Sequence, residues 1–286
     1  MNTDIIKGKP VADKITDKLI KEVEELKEKN IIPKLSIVRV GEKPDDISYE
    51  RGAVSRCSKI GIDTERIVLD EDVSEEKYIE TIEKLNKDKN INAILCLRPL
   101  PENIDENIIK NIIDPEKDVD CFNPMNTSKL FEGDKEGYAP CTPEAVMKIL
   151  EYYDVDLVGK NTVVLGRSLI VGRPVAMMLM EEHSTVTICH SKTDDLVKEA
   201  KKADVLISAI GKAKIIDKSY IKEDAIVIDV GINLDKDGNL CGDVDTNSVR
   251  GKAKMVTPVP GGVGSVTTSV LAEHVIRACK KQNRID

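Results

Sequence analysis

Residues 162–174, TVVLGRSLIVGRP, constrain the fold of this chain more than any other stretch. Thr162, Val163, Val164 and Leu165 form a short β-branched and aliphatic run. That is the pattern of a strand buried on both faces of a parallel sheet. Gly166 stops the run, Gly172 and Pro174 punctuate a turn, and an apolar helical pattern resumes over 175–180. Strand, glycine-containing turn and helix, in that order, aim backbone N–H groups and a positive helix end at a phosphate. The spacing is G-x-x-x-x-x-G, so the usual G-x-G-x-x-G dinucleotide fingerprint is absent, and Ser168 stands where a second glycine would fall. Taken alone, such a turn is equally a tight strand–helix corner.

The next segment sharpens the reading. A second strand over 185–189 ends in His190, Ser191, Lys192 and Thr193. The end of this strand, roughly 20 residues past the glycine turn, is where a dinucleotide fold reads the adenosine ribose. An acidic residue there favours NAD; this chain offers hydroxyls, a histidine and a lysine, with Arg167 back in the turn. Those groups suit a ribose carrying a phosphate, so the cofactor expected is NADP. The competing reading is an ordinary solvated polar loop.

Composition narrows the partners. The 286 residues carry a net charge of −8, with no basic stripe interleaved with aromatics, which argues against nucleic acid. No apolar run reaches membrane-spanning length and the first residues lack an apolar signal core, so a cytoplasmic protein without a membrane partner is expected. Seven cysteines are scattered, odd in number and without a C-x-x-C pair. Reduced thiols are expected, with neither a disulfide framework nor a metal site.

Taken in order, Val11, Ile15, Leu19, Val23 and Leu26 mark one stripe of a helix over 10–29, with Pro10 tolerated in its first turn. A strand over 34–40 and a turn at 41–44 lead to a helix capped by Asp45 or Asp46, running to Lys59 and closed by Gly61. A strand over 64–69, a helix over 74–88 and a strand over 91–97 follow. Three strands alternating with helices predict a parallel, helix-covered sheet. A long polar loop over 114–140 carries Lys117-Asp118-Val119-Asp120, and a helix over 142–153 bridges to a second domain. Past His190 come a helix over 194–202, strands over 205–210, 225–230 and 254–256, and the loop TPVPGGVG at 257–264, which enters a helix over 266–281. That loop is either a connector or a second presenter of backbone N–H groups. Two glycine-bearing loops that each open a helix point to a ligand site in the cleft between domains.

With these residues in place, the chain resembles the methylenetetrahydrofolate dehydrogenase/cyclohydrolase family over nearly its whole length. The shared segments include Pro10-Val11-Ala12, Val40-Gly41, Tyr49, Gly61, Pro99-Leu100-Pro101, Lys117-Asp118-Val119-Asp120 and Pro140-Cys141-Thr142-Pro143. Gly166-Arg167-Ser168 with Val171-Gly172 and Pro174, His190-Ser191-Lys192-Thr193 and the loop at 257–264 complete them. The resemblance implies an α/β fold of two domains. One is a parallel-sheet, folate-binding catalytic domain over 1–142, with 267–286 packing back on it; the other is a Rossmann-like NADP domain over 143–266. It implies that Tyr49 and Asp120 serve catalysis and substrate binding, the first by stacking on the ligand and the second by bonding the pterin edge. Pro260, Gly261 and Gly262 would close over the folate, and Gly166, Arg167, Ser168, Ser191 and Ile232 would hold NADP. It further implies a homodimer formed through the second domain and a role in one-carbon metabolism and purine biosynthesis.

Two departures bear on chemistry. Bifunctional relatives carry a lysine four positions after the tyrosine, where this chain has Ala53, and a glutamine in Gln-Leu-Pro-Leu-Pro, where it has Leu97. That lysine drives the cyclohydrolase step and the glutamine orients it. Cys121 and Ser265 replace a family glycine and proline. Hydride transfer from methylenetetrahydrofolate releases no proton and needs alignment alone. Hydrolysis of the methenyl product needs a positioned acid/base, worth ~10²–10⁴-fold. The expectation is therefore a dehydrogenase that has lost cyclohydrolase activity. The alternative is a bifunctional enzyme in which Arg51, Arg56 or Lys59 substitutes; arginine, always protonated, is a poor proton shuttle.

Overall fold

The chain enters its fold through a two-residue strand, β1 (Asp4–Ile5), and a long helix, α1 (Gly8–Glu28). The computed structural model describes residues 2–285. It divides into two units: Lys14–Cys141 with Thr268–Asp286, the first unit, and Met1–Asp13 with Thr142–Thr267, the second. The α1 stripe is buried as its period predicts, with Val11, Leu19, Val23 and Leu26 all at most 2% exposed.

In the first unit, β2 (Lys34–Val40) lies between β3 (Asp63–Leu69) and β4 (Ala93–Cys96) in an all-parallel sheet. Its residues from Leu35 to Val40 are all buried, Ser36 and Arg39 included, as a central strand covered on both faces requires. Helix α2 (Pro44–Ile60) joins β2 to β3 and α3 (Glu75–Lys87) joins β3 to β4. The expected caps at Asp45 or Asp46 give way to Lys43, because Pro44 takes the first helical position. Proline's fixed φ suits that position, and the two aspartates lie in the first turn, facing the positive helix end. Ser74 does cap α3, accepting from Lys77 N at 3.2 Å.

After β4 come α4 (Glu106–Ile112) and α5 (Pro124–Glu132). The stretch 114–140 is thus no continuous loop. Asn123 accepts from Met125 N, Pro124 opens α5, and Gly133 closes it at φ 71°. These are full start and stop signals, but Asn126 is the only buried residue in α5, so the apolar period that announces a helix is missing.

Helix α6 (Cys141–Tyr152) leads to β5 (Asn161–Leu165), α7 (Gly172–Glu181), β6 (Thr185–Cys189), α8 (Leu196–Ala200), β7 (Val205–Ser208) and β8 (Ile226–Asp229). A hairpin of β9 (Asn233–Leu234) and β10 (Leu240–Cys241), the short α9 (Thr246–Val249), β11 (Met255–Val256) and α10 (Thr267–Gln282) complete the chain. The second unit's sheet is parallel throughout, in the order β1-β11-β8-β7-β5-β6. Strand β5 lies beside both β6 and β7, so the order reverses there, the switch point at which such sheets bind ligands.

The start of the chain, part of the 1–142 stretch expected to form the first domain, groups structurally with the second unit. Strand β1 pairs with β11, Ile6 N donates to Val256 O at 3.0 Å, and Gly8 N donates to Gly261 O at 2.9 Å. These bonds tie the described residues up to Asp13 to the second unit. Helix α10 returns to the first: Lys280 Nζ lies 2.7 Å from Glu22 Oε2, and Gln282 Nε2 donates to Asn92 O at 2.8 Å. Among the described residues, no helix is long and apolar enough to cross a membrane.

Candidate active site

The glycine turn after β5 is shaped by contact with itself and with β7. Gly166 has φ +126°, and a Cβ there would lie 2.3 Å from Ala209 O. A Cβ on Gly172 would lie 2.2 Å from Gly166 O. The two glycines of the G-x-x-x-x-x-G spacing are thus required by two close backbone approaches, Gly166 against Ala209 and Gly172 against Gly166, the second of which draws the start of α7 onto the end of β5. Ser168 Oγ accepts from Val171 N at 3.0 Å and from Gly172 N at 3.3 Å, which holds the turn and leaves its own O–H to donate. Arg167 is exposed on the same turn.

Gly166 N donates to Cys189 O at 2.9 Å, so this turn adjoins the end of β6. There His190 N donates to Thr193 Oγ1 at 2.9 Å and Lys192 N to His190 Nδ1 at 3.1 Å. The imidazole and the threonine hydroxyl organise the loop, while Ser191 and Lys192 remain exposed. The sheet register brings Leu165, Cys189, Ser208 and Asp229 level at the strands' carboxyl ends.

A cavity of about 300 Å³ opens beside Asp229, lined by Ile232, Leu240 and the loop from Pro258 to Ser265, which includes Pro260, Gly261 and Gly262. Asp229 lines it, and a second buried aspartate, Asp243, is hydrogen-bonded to the Asp229 carboxylate through its backbone N–H. Asp243 accepts from the backbone N–H groups of Ile210, Gly211 and Lys212 at 2.7, 3.2 and 2.9 Å, from Ser208 Oγ at 3.1 Å and from Asn233 Nδ2 at 2.9 Å. Asp229 accepts from Gly231 N, Asp243 N and Val244 N at 2.8–3.0 Å. Burial, with Asp243 adding to it, pushes the Asp229 carboxyl up to about 6, against the pull of those N–H groups. In the sequence, the only signal of this arrangement is an aspartate directly after a glycine, Gly242-Asp243. Ser265 Oγ donates to Gly262 O at 2.6 Å, so the residue at the family's proline position closes the turn by a hydrogen bond.

In the first unit, the Lys117-Asp118-Val119-Asp120 segment divides its charges by role. Lys117 Nζ donates to Leu85 O, Asn86 O and Asp88 O at 2.7–2.9 Å, capping the carbonyl end of α3. Asp118 is buried and accepts from Phe122 N, Asn123 N and Asn126 Nδ2 at 2.8–2.9 Å, tying the segment to the start of α5. Asp120 alone keeps a half-exposed carboxylate. Its Oδ1 accepts from Cys141 N at 2.9 Å, and its Oδ2 lies 3.7 Å from Arg98 Nη2. The segment is braced by His274 of α10, whose Nδ1 lies 2.8 Å from Val119 O. Neither Arg98 nor His274 stood out in the sequence.

Tyr49 projects from α2 toward this segment. Burial of its hydroxyl, with Cys141, Asp120 and Cys57 nearby, pushes the phenol well above the ordinary tyrosine range, so it stays protonated. Burial likewise pushes the Cys57 and Cys96 thiols up to about 12, which leaves them protonated and poor nucleophiles. One turn along α2 from Tyr49, Ala53 is fully buried, and Leu97 is 7% exposed at the end of β4. Arg56 Nη1 donates to Thr16 Oγ1 at 2.7 Å and is held against α1. Arg51 and Lys59 are exposed.

Cys121 adopts φ +56°, the left-handed region, which explains why relatives carry glycine there. Replacing it should relieve strain: Cys121→Gly is expected to raise stability by up to about 1 kcal/mol. Urea titration checks this. A loss of stability would show that the 3.7 Å contact of its Sγ with Thr127 Oγ1 outweighs the strain.

Residues 6–120 match the catalytic domain of the tetrahydrofolate dehydrogenase/cyclohydrolase family, and residues 140–283 match its NAD(P)-binding domain. The chain is 62% identical over 279 residues to the bifunctional protein FolD of Clostridioides difficile, covering 98% of this chain and 97% of that one. Its structure is similar to that of the bifunctional FolD of Campylobacter jejuni, with a TM-score of 0.96, 38% identity and coverage of 99% and 100% of the two chains. It is also similar to the FolD of Trypanosoma brucei complexed with NADP and an inhibitor, with a TM-score of 0.94, 34% identity and 99% of each chain covered. The glycine turn on the second unit's sheet, the Tyr49–Asp120 cluster on the first and these matches along the length converge: the chain belongs to the tetrahydrofolate dehydrogenase/cyclohydrolase family.

Proposed function

We propose that the protein oxidises 5,10-methylenetetrahydrofolate to 5,10-methenyltetrahydrofolate with NADP and does not catalyse the hydrolysis that follows. One observation carries the reading: beside Tyr49 and Asp120, positions 53 and 97 offer only buried apolar side chains. Binding groups are retained where acid/base groups are not. NADP, when bound, supplies the acceptor for the hydride leaving the bridging carbon. The chain's own task is alignment, with Tyr49 stacking on the folate, Asp120 accepting from the pterin edge and Pro260, Gly261 and Gly262 contacting the ligand. Gly166, Arg167, Ser168, Ser191 and Ile232 bind the cofactor. The choice of NADP is supported by exposed Arg167, Ser191 and Lys192 at adjoining strand ends and by the NADP complex of the Trypanosoma relative.

Held where it is by Thr16, Arg56 is turned to another use, which weighs against a substitute acid/base. The reading extends to a cytoplasmic homodimer serving one-carbon metabolism and purine biosynthesis. The dimer is supported by β6, an edge strand with Thr185, Thr187 and Ile188 exposed.

The test is absorbance of reduced nicotinamide with 5,10-methylenetetrahydrofolate and NADP. Steady NADPH formation is expected; none at saturating substrates would refute the dehydrogenase. Asp120→Ala removes a charged acceptor, an interaction worth about 1.5–3 kcal/mol. Folate affinity should fall about 10–100-fold while NADP affinity holds. Unchanged folate binding by calorimetry would remove Asp120 from the site.

A further inference from the structure

We propose that Arg98 is a substrate-binding residue that works with Asp120. Together they would read a heterocycle edge on which an N–H donor adjoins a C=O acceptor, as in the lactam edge of a pterin. The proposal rests on the folate reading above and adds a residue to it.

Arg98 follows β4, at the carboxyl end of the first unit's sheet. Its side chain is only 15% exposed, and its guanidinium lies 4.3 Å over the Phe122 ring centre, which fixes the plane of the fork. A guanidinium carries five N–H donors. Among the described residues, none of them is engaged in a hydrogen bond, and Asp120 Oδ2 comes to 3.7 Å of Nη2. A largely buried cation that is stacked and charge-paired, yet spends no donor on the protein, is set to donate to something else.

Asp120 supplies the complement. Cys141 N takes Oδ1, so Oδ2 is the oxygen that neighbours Arg98. A carboxylate only accepts and a guanidinium only donates. Side by side they match a donor next to an acceptor and disfavour two adjacent acceptors or two adjacent donors.

The family's Gln-Leu-Pro-Leu-Pro segment has leucine where this chain has Arg98 in Leu97-Arg98-Pro99-Leu100-Pro101. The chain therefore lacks a cation at position 53 and has one at position 98. Arginine remains protonated, so this cation serves binding and leaves proton transfer unsupplied.

The experiment compares Arg98→Leu and Arg98→Lys with the parent protein. Steady-state kinetics with 5,10-methylenetetrahydrofolate and NADP are paired with calorimetric binding of folic acid and with thermal unfolding. In Arg98→Leu the folate KM and the folic acid Kd should rise about 10–100-fold, the range for a hydrogen bond to a charged group. The NADP KM should hold and kcat should change little. Arg98→Lys should recover part of the affinity, since it restores a point charge without the planar fork. If Arg98→Leu does not fold, Arg98→Gln and Arg98→Lys carry the same comparison. Unchanged folate affinity in a folded variant would overturn the proposal. So would parallel losses of thermal stability, NADP affinity and folate affinity, the signature of a structural ion pair. Absence of NADPH formation by the parent would refute the dehydrogenase alone, and folic acid calorimetry would still decide the role of Arg98.

Discussion

Gly166→Ala is expected to destabilise the second unit by about 3 kcal/mol or more and to abolish measurable NADP binding. Two effects add. The backbone sits at φ +126°, where side chains are rarely tolerated, and the new methyl would lie 2.3 Å from Ala209 O. The obstacle is main chain of the neighbouring turn, so no side-chain rotation relieves it. Gly211→Ala is the control on that neighbouring turn. Its φ is +74° and nothing lies within 4 Å of the added carbon, so only the conformational cost of about 1 kcal/mol applies. Thermal unfolding and NADP titration of the two variants check the difference. Equal, mild effects would show that the turn relaxes without loss and that its close approach to β7 is not what shapes the cofactor site.

The double variant Ala53→Lys with Leu97→Gln is expected to gain methenyltetrahydrofolate hydrolysis, by up to ~10²-fold over the parent. Hydrolysis requires a proton carrier for water and for the departing nitrogen, and position 53 is one helical turn from Tyr49. Ala53 is fully buried, so a lysine there loses solvation, which lowers its pKa toward the range useful for proton transfer. The same burial costs stability unless the ammonium finds a partner, and the family resemblance assigns that part to glutamine at position 97. Ala53→Lys alone should therefore destabilise and gain little, and Leu97→Gln alone should gain nothing. The double variant should exceed the two singles combined, because the groups act as a unit. Additive or absent gains would show that the missing pair is not what separates this protein from a cyclohydrolase.

What was legible in the sequence followed from periodicity and from glycine. The buried run of β5, the glycine turn and the stripe of α1 each declare themselves within a few residues, because local pattern and final environment agree. Strand β1 could not be read: two residues show no period, and their partner β11 lies at the far end of the chain. Helix α5 carried caps without an apolar face, so its composition resembled loop. The aspartates at 229 and 243 escaped notice for a different reason. Their carboxylates are buried among backbone N–H groups contributed by three separate turns, a setting that no neighbouring residue announces. Arg98 was passed over because its meaning depends on Phe122 and Asp120, which only the fold brings beside it. Tyr49, Asp120 and the two apolar substitutions were found through family resemblance. Spacing alone would have left Tyr49 as one more residue on a helix face.

The central claim is that binding and hydride transfer remain here without hydrolysis. The most direct measurement follows the loss of methenyltetrahydrofolate absorbance, with and without the unmodified protein, in a weakly nucleophilic buffer. Identical decay is expected in both, with accumulation of the methenyl compound when the protein generates it from 5,10-methylenetetrahydrofolate and NADP. Decay that accelerates in proportion to protein concentration would contradict it, and would mean that a group other than those at positions 53 and 97 moves the proton.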